Sequence, residues 1–364
     1  MSIKFKLALF SLAIAVLSSC AEEKEPTAKE LQEKILDAYI QANHPEAQKL
    51  QSGLTIISLN PGADKKPGTN DGIYIHYSTY DLSGTCQSTT DSVKARMLGT
   101  YSPSIYYGPS LFILNSTSTL GMKELLSKLG KGGSAVAIIP PWLTTSGARN
   151  TGSYSSSSGQ QSTINMLYEI KAGIVIDDVE KFQIDSLESY SRLRFSPKVD
   201  STSYGYYFRN YTHPSGIPAA DTVKAETSVG VWYVGRLLDG YVFDTNIPDT
   251  ARKYKIYDSS KDYSPLSVTI GETYKDMTNY GSGSSSNDPS AGPNGSSSTI
   301  IGFAHAVKDM TYADKATAFF MSGLGYGSAG NMSSGSGVPE YAMLRFDLWV
   351  AHPADTKFPP TKKK

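Results

Sequence analysis

The chain has 364 residues, with 34 basic and 34 acidic side chains and no net charge, so it lacks the basic footprint that a nucleic-acid partner needs. Its 24 tyrosines, 32 glycines and 19 prolines favour a loop-rich β protein over a helical bundle, and its length suggests two or three domains. Cys20 and Cys86 are its only cysteines, which excludes a cysteine-built zinc site, and the five histidines are too far apart for a helical metal motif. No metal and no cofactor is expected.

In chain order, "MSIKFKLALFSLAIAVLSSC" comes first. Lys4 and Lys6 precede an apolar run, Leu7 to Leu17, of signal-peptide length and too short to span a bilayer comfortably. The small residues before Cys20 resemble a bacterial lipobox. That resemblance implies removal of residues 1–19, lipidation of Cys20 and a membrane anchor in the cell envelope. The charged "AEEKEPTAKE" then reads as a tether over about residues 20–30, similar to the stretch after the cysteine in some Bacteroidetes surface lipoproteins.

"TAKELQEKILDAYIQAN" places Leu31, Ile35, Leu36, Tyr39 and Ile40 at helical spacing. "GLTIISL" and "GIYIHYSTY" read as strands on either side of a turn-rich segment. "LGMKELLSKLG" reads as a short helix ending at Gly130, and "SAVAIIPP" as a strand. A Gly/Ser-rich loop follows, then "TINMLYEIKAGIVI", one strand or two.

The same order then recurs. "KFQIDSLESYSRL" is helical, "SYGYYFRNY" and "VGVWYVGRLL" are strands, and "IGFAHAVKDM" is the short helix. "KATAFFMS", a Gly/Ser loop and "AMLRFDLWV" complete the set. Tyr77 and Gly84 recur 156 positions on as Tyr233 and Gly240, and Gly121 and Leu143 recur 181 positions on as Gly302 and Leu324. The change of offset falls at the low-complexity insert "NYGSGSSSNDPSAGPNGSSS", a surface loop by composition. The split between copies is expected near residue 180.

Familiar catalytic signatures do not fit. "GYGSAG" spells G-x-G-x-x-G, but "NMSSGSG" cannot open the helix that a dinucleotide site requires. There is no G-x-S-x-G elbow and no P-loop. His76 reads as structural, His305 as a solvated or helix-end histidine, and Cys86 as an inert small residue.

In the second copy, "VGVWYVGRLLDGYVFDTN", "IIGFAHAVKDM", "GLGYGSAG" and "VPEYAMLRFDLWV" follow in the order of the FKBP-type peptidyl-prolyl isomerases, which this stretch resembles over most of residues 205–352. The resemblance implies an α+β fold: two tandem domains, about 31–178 and 179–364, each a curved antiparallel sheet wrapped around a short helix. It implies an apolar pocket in the second. Tyr233 and Phe243 would wall it, Phe303 would floor it in place of the family's tryptophan, and Phe346 and Val338 would close the far side. Asp244 would fix the polar rim through a tyrosine, Tyr326 would aim its hydroxyl at a substrate carbonyl, and Leu266, where the family often has an aromatic residue, and Ile300, ahead of the floor, would bind substrate. Glu340 and Gly325 depart from the family's proline and alanine. Asp239-Gly240 is a turn, and on a regular strand the neighbours Phe243 and Asp244 face opposite sides.

The first copy resembles the family in outline only. Gln87 and Ser88 stand where Phe243 and Asp244 stand, with Met122 at the floor and Thr145 at the flap; only Tyr77 and Tyr168 keep rings. Two functions stay open: an envelope-anchored isomerase acting on proline-containing polypeptides, or a non-catalytic lipoprotein that binds a protein or a surface glycan.

Overall fold

The computed structural model describes residues 26–115, 119–144, 164–212, 228–272, 278–280, 297–298, 300–331, 337–351 and 357–358. Cys20, Thr145 and most of the low-complexity insert lie outside the described residues.

The fold is α+β, with two antiparallel sheets and few helices. Helix α1, Ala28–Asn43, opens on a capping box: Glu30 N donates to Thr27 Oγ1 at 3.3 Å and Thr27 N to Glu30 Oε2 at 2.7 Å. The first sheet has β1 (Gln48–Lys49), β2 (Thr55–Asn60), β3 (Gly72–Asp81), β4 (Cys86–Thr89), β5 (Ser110–Ile113), β6 (Ser134–Ile139) and β7 (Met166–Ile176). Their order is β1-β2-β6-β7-β3-β4, with β5 also on β3. Helices α2 (Ser92–Met97) and α3 (Leu120–Leu126) lie between strands.

Helix α4, Val179–Arg194, starts the second set. It is followed by β8 (Ser201–Ser203), β9 (Tyr206–Asn210), β10 (Ser228–Leu237), β11 (Val242–Thr245), α5 (Pro248–Lys253), β12 (Leu266–Thr269), β13 (Thr278–Tyr280), β14 (Ser297–Ser298), α6 (Ile301–Lys308), β15 (Lys315–Phe320) and β16 (Leu344–Ala351). The path β8-β9-β15-β16-β10 repeats β1-β2-β6-β7-β3. Helix α5 lies 156 positions after α2, and β15 lies 181 after β6.

Each short helix buries one face on its sheet. Helix α3 contributes Met122, Leu125 and Leu126, and α6 contributes Phe303, Ala304, Ala306 and Val307. Each fully buried large side chain stabilises its half by roughly 1.5–3 kcal/mol.

Of the two readings of the first copy's closing segment, one strand holds: Met166–Ile176 is hydrogen-bonded to β6 on one side and β3 on the other. Two expectations need correction. Helix α3 stops at Leu126 rather than Gly130. Gly130 instead serves a close backbone approach: its N donates to Pro61 O at 2.8 Å, and a Cβ there would collide with the Ala63 carbonyl. The insert is not loop throughout. Its ends pair as β13 and β14, Thr278 opposite Ser298, which extends the second sheet beyond β12.

A buried amide ties helix α4 to the turn that follows β15. Gln183 Nε2 donates to Ser322 Oγ at 3.0 Å, and Ser322 N donates to Gln183 Oε1 at 2.8 Å.

Candidate functional site

The site is built on the hairpin of β10 and β11. Gly240 makes the turn at φ 99°, a value that favours glycine, and Tyr241 N donates to Asp239 Oδ1 at 2.9 Å. Beyond the turn the pairing does not stay regular. Gly235 lies opposite Asp244 and Arg236 opposite Val242, so Phe243 is the extra residue of a β-bulge.

The bulge overturns the expectation that Phe243 and Asp244 face opposite sides. Phe243 packs edge-on against Phe346 at 5.7 Å and Tyr326 at 6.5 Å. Asp244 Oδ2 accepts the Tyr233 hydroxyl at 2.7 Å, and the Tyr233 ring lies 5.8 Å from Phe303 and 6.2 Å from Phe346. Phe243 and the anchor of Tyr233 thus serve one cluster on one face. Gly235, across the bulge, makes room: a Cβ there would lie 2.6 Å from the Phe243 ring and 3.0 Å from Phe346.

The rings meet edge to face, the arrangement that aromatic quadrupoles prefer. Phe303 is 5.2 Å from Phe346 at 85°. Gly302, just before it, lets α6 approach the Phe320 ring, which a Cβ would meet at 2.5 Å. Val338 is fully buried, its carbonyl accepting Asn331 N at 2.8 Å. Leu266, Ile300, Tyr233 and Tyr326 are half-buried around the same cluster. All the residues that the resemblance singled out in the second copy are therefore brought together. Phe243, Phe303 and Phe346 are only 6%, 3% and 3% exposed, so the open part of the site is its tyrosine-bearing rim.

Tyr233 is held at several points. Its N donates to Asn246 Oδ1 at 2.8 Å, and its carbonyl accepts Thr245 Oγ1 at 2.6 Å. Burial, and then the neighbouring Asp244 charge, push its phenol well above its ordinary pKa. It therefore stays protonated and donates to the carboxylate. Lys261 Nζ stands 3.3 Å from Asp244 Oδ1 on the outer side. Asp244→Ala would leave the buried hydroxyl without this acceptor and is expected to cost about 1–3 kcal/mol. Urea denaturation would read this as a lower midpoint, with Asp244→Asn, which keeps a carbonyl acceptor, losing less.

The first half keeps the anchor and the rings of Tyr77 and Tyr168, and lacks those that match Phe243 and Phe303. Its bulge falls at the matching place, between Thr79 and Tyr80, and Tyr77 hydrogen-bonds Ser88. The bulged residue is Gln87, exposed and bonded to Asp81 Oδ2 at 3.0 Å. Of the two readings of His305 the helix-end one holds: it lies in the last turn of α6, with its ring stacked on Tyr206 at 4.2 Å.

Sequence reasoning misses Gly235, Tyr241 and Tyr106. Tyr106 belongs to the first half but packs against the second half's cluster, its ring 5.4 Å from Tyr241. Its hydroxyl donates to Asp239, and burial followed by that charge raises its pKa strongly. The approach is close: a Cβ on Gly337, beside Val338, would lie 2.8 Å from Ser104 O and 3.1 Å from Tyr106 N. A mid-strand glycine is the available signal for Gly235. For Tyr106 the signal is its replacement by Asp262 in the second copy.

Among the described residues no three ligating side chains form a metal-binding group, and no helix is long and apolar enough to cross a membrane. No family model and no curated protein matches the sequence. Among the solved structures to which the chain is similar are FKBP-domain proteins. The three FKBP domains of wheat FKBP73 share 11% identity, over 84% of this chain and 98% of that one, with a TM-score of 0.25. The N-terminal domain of FKBP42 from Arabidopsis thaliana shares 16%, over 43% and 94%, at 0.27. FkpA from Escherichia coli shares 19%, over 48% and 69%, at 0.28.

Proposed function

We propose that the chain is a peptidyl-prolyl cis–trans isomerase that works through the aromatic cluster of its second half, tethered to the cell envelope by a lipid on Cys20. The observation that carries this reading is the bulge that sets Phe243 and the Asp244-anchored Tyr233 on one face of an otherwise apolar cluster.

The chemistry asks little of the protein. An X-Pro bond turns over tens to hundreds of seconds unaided because amide resonance resists rotation. The twisted transition state has lost that resonance and is less dipolar. An apolar face favours it over the planar amide, and one donor suffices to hold the carbonyl that turns. Tyr326 at the rim supplies that donor, the proline ring seats at that rim above the buried Phe243 and Phe346, and the Tyr233–Asp244 pair fixes the wall. Acid, base, nucleophile and metal are not required.

The test is a protease-coupled isomerisation assay on the full chain. Phe243→Ala is expected to lower kcat/KM tenfold or more, on the order of 1.4 kcal/mol of transition-state binding. Tyr326→Phe is expected to lower kcat with little effect on stability. A wild-type rate equal to buffer would defeat the reading. It would favour the second one, a non-catalytic binder, which the near-complete burial of the three phenyl rings also supports. Cys20→Ser is expected to move the chain from the membrane to the soluble fraction.

A further inference from the structure

One local motif occurs in both halves. The Arg96 guanidinium lies 4.0 Å from the centre of the Tyr101 ring, and Tyr101 stacks on Tyr107 at 5.2 Å. At an offset of 156, Arg252 lies 4.4 Å from Tyr257, which stacks on Tyr263 at 4.8 Å. The turn inside each stack is pinned alike, with Ser102 N donating to the Tyr107 hydroxyl at 3.1 Å and Asp258 N to that of Tyr263 at 2.9 Å. The stack belongs to the fold.

What surrounds the stack differs between the halves. Val93 and Met97 on α2 stand where α5 carries Asp249 and Lys253, and Ile105 and Tyr106 stand where the second half has Lys261 and Asp262. Val93, Met97 and Ile105 are 62%, 83% and 42% exposed. Helix α5 shows that charged residues serve at these positions, so folding does not demand apolar ones in α2. Contiguous exposed apolar side chains mark an interaction surface, and methionine adapts to varied partners.

Ser92 and Arg96, the chain neighbours of Val93 and Met97 on α2, line a cavity of about 400 Å³ between the two halves, within the roughly 300–1,000 Å³ of ordinary ligand pockets. Arg96, Ile105 and Tyr106 line it from the first half, and Tyr241, Val242 and Tyr254 from the second. Its charged groups are already engaged: Arg96 with the Tyr101 ring, and Asp239 with the Tyr106 hydroxyl and Tyr241 N. What remains is aromatic and neutral. Tyr106 and Tyr241 also pack against the candidate site, and Val242 adjoins Phe243, so the cavity and the site share a wall.

We propose that α2, the segment up to Tyr107 and this cavity bind an extended, apolar polypeptide segment. One large side chain enters the cavity while its neighbours lie along Val93 and Met97. A polypeptide fits better than a sugar, because the exposed valine and methionine offer hydroxyl groups no hydrogen bond. The proposal requires binding alone, not turnover, and so stands apart from the isomerase reading.

The test is fluorescence anisotropy with the full chain and a labelled, proline-free Gly/Ser peptide carrying a central Leu-Phe-Leu. The control is the same peptide with Ser-Ser-Ser. Val93→Asp and Met97→Lys install the second half's own residues at exposed positions. They are expected to weaken binding of the Leu-Phe-Leu peptide about tenfold or more. Their thermal midpoints, and turnover of a tetrapeptide too short to span both places, should not change. Unchanged binding in these variants, equal affinity for the two peptides, or no binding by the wild type would each overturn the proposal. So would a neutral oligosaccharide that displaces the peptide and loses affinity in the same variants.

Discussion

Replacing Gly235 with alanine is expected to unseat Phe243 and abolish the candidate site while the rest of the second sheet persists. Gly235 is not among the glycines with positive φ, so conformational freedom is not the reason for it. The reason is space: the added methyl would sit 2.6 and 2.7 Å from two Phe243 ring atoms and 3.0 Å from Phe346. Phe243 cannot retreat easily, because Phe346 stands 5.7 Å away on one side and Tyr326 6.5 Å away on another. Overpacking of this kind costs about 1–3 kcal/mol. Equilibrium urea denaturation of the full chain would measure that loss. Isomerisation, if present, should fall to the level of Phe243→Ala. Adding Phe243→Val to Gly235→Ala should return stability without returning activity, since it empties the space that the methyl needs. A Gly235→Ala chain that keeps both full stability and full turnover would mean that Phe243 does not lie across the strand.

The same glycine explains what could and could not be read from the sequence. The two offsets, 156 and 181, follow from identities such as Tyr77 with Tyr233 and Gly121 with Gly302, and they match the spacing of the paired helices and strands. Period two is visible in β16, where Leu344, Phe346, Leu348 and Val350 alternate with Arg345, Asp347 and Trp349, whereas β10 buries apolar side chains on both faces and reads as a continuous apolar run. Period two fails at Phe243 and Asp244, because one inserted residue resets the alternation. The partner strand holds the clue, since a glycine inside a strand signals a bulge or a close approach. In the first half Thr79 occupies the equivalent place and needs no such space, because the bulged Gln87 turns to solvent. The packing of Tyr106 on the opposite half is a different matter. It depends on how residues far apart in the chain meet, which neither local spacing nor composition encodes.

The largest stability loss is expected from Asp347→Ala, on the face of the sheet opposite the aromatic cluster. Asp347 is 9% exposed and joins three strands. Its Oδ1 accepts Thr317 Oγ1 from β15 at 2.7 Å and Arg345 Nη2 from β16 at 2.7 Å, and its Oδ2 accepts Arg236 Nε from β10 at 3.3 Å. The two guanidiniums reach further, Arg236 to the Tyr254 hydroxyl at 3.1 Å and Arg345 to the Tyr190 hydroxyl on α4 at 3.0 Å. Removing the carboxylate leaves two like charges facing each other across β10 and β16. Breaking a buried pair costs roughly 3–5 kcal/mol, and because both arginine side chains are about a fifth exposed, with 20% and 23% of their surface open, the low end applies here. Asp347→Asn, which keeps a carbonyl for Thr317 but not the charge, should lie between wild type and alanine in urea. These three strands also carry Gly235, Phe346 and Phe320, so the network holds the sheet on which the aromatic cluster rests. An Asp347→Ala chain should therefore lose the site's near-ultraviolet aromatic dichroism at a lower urea concentration than wild type. The signal should vanish together with backbone structure in the second half, because cluster and network share the same strands and cannot melt separately.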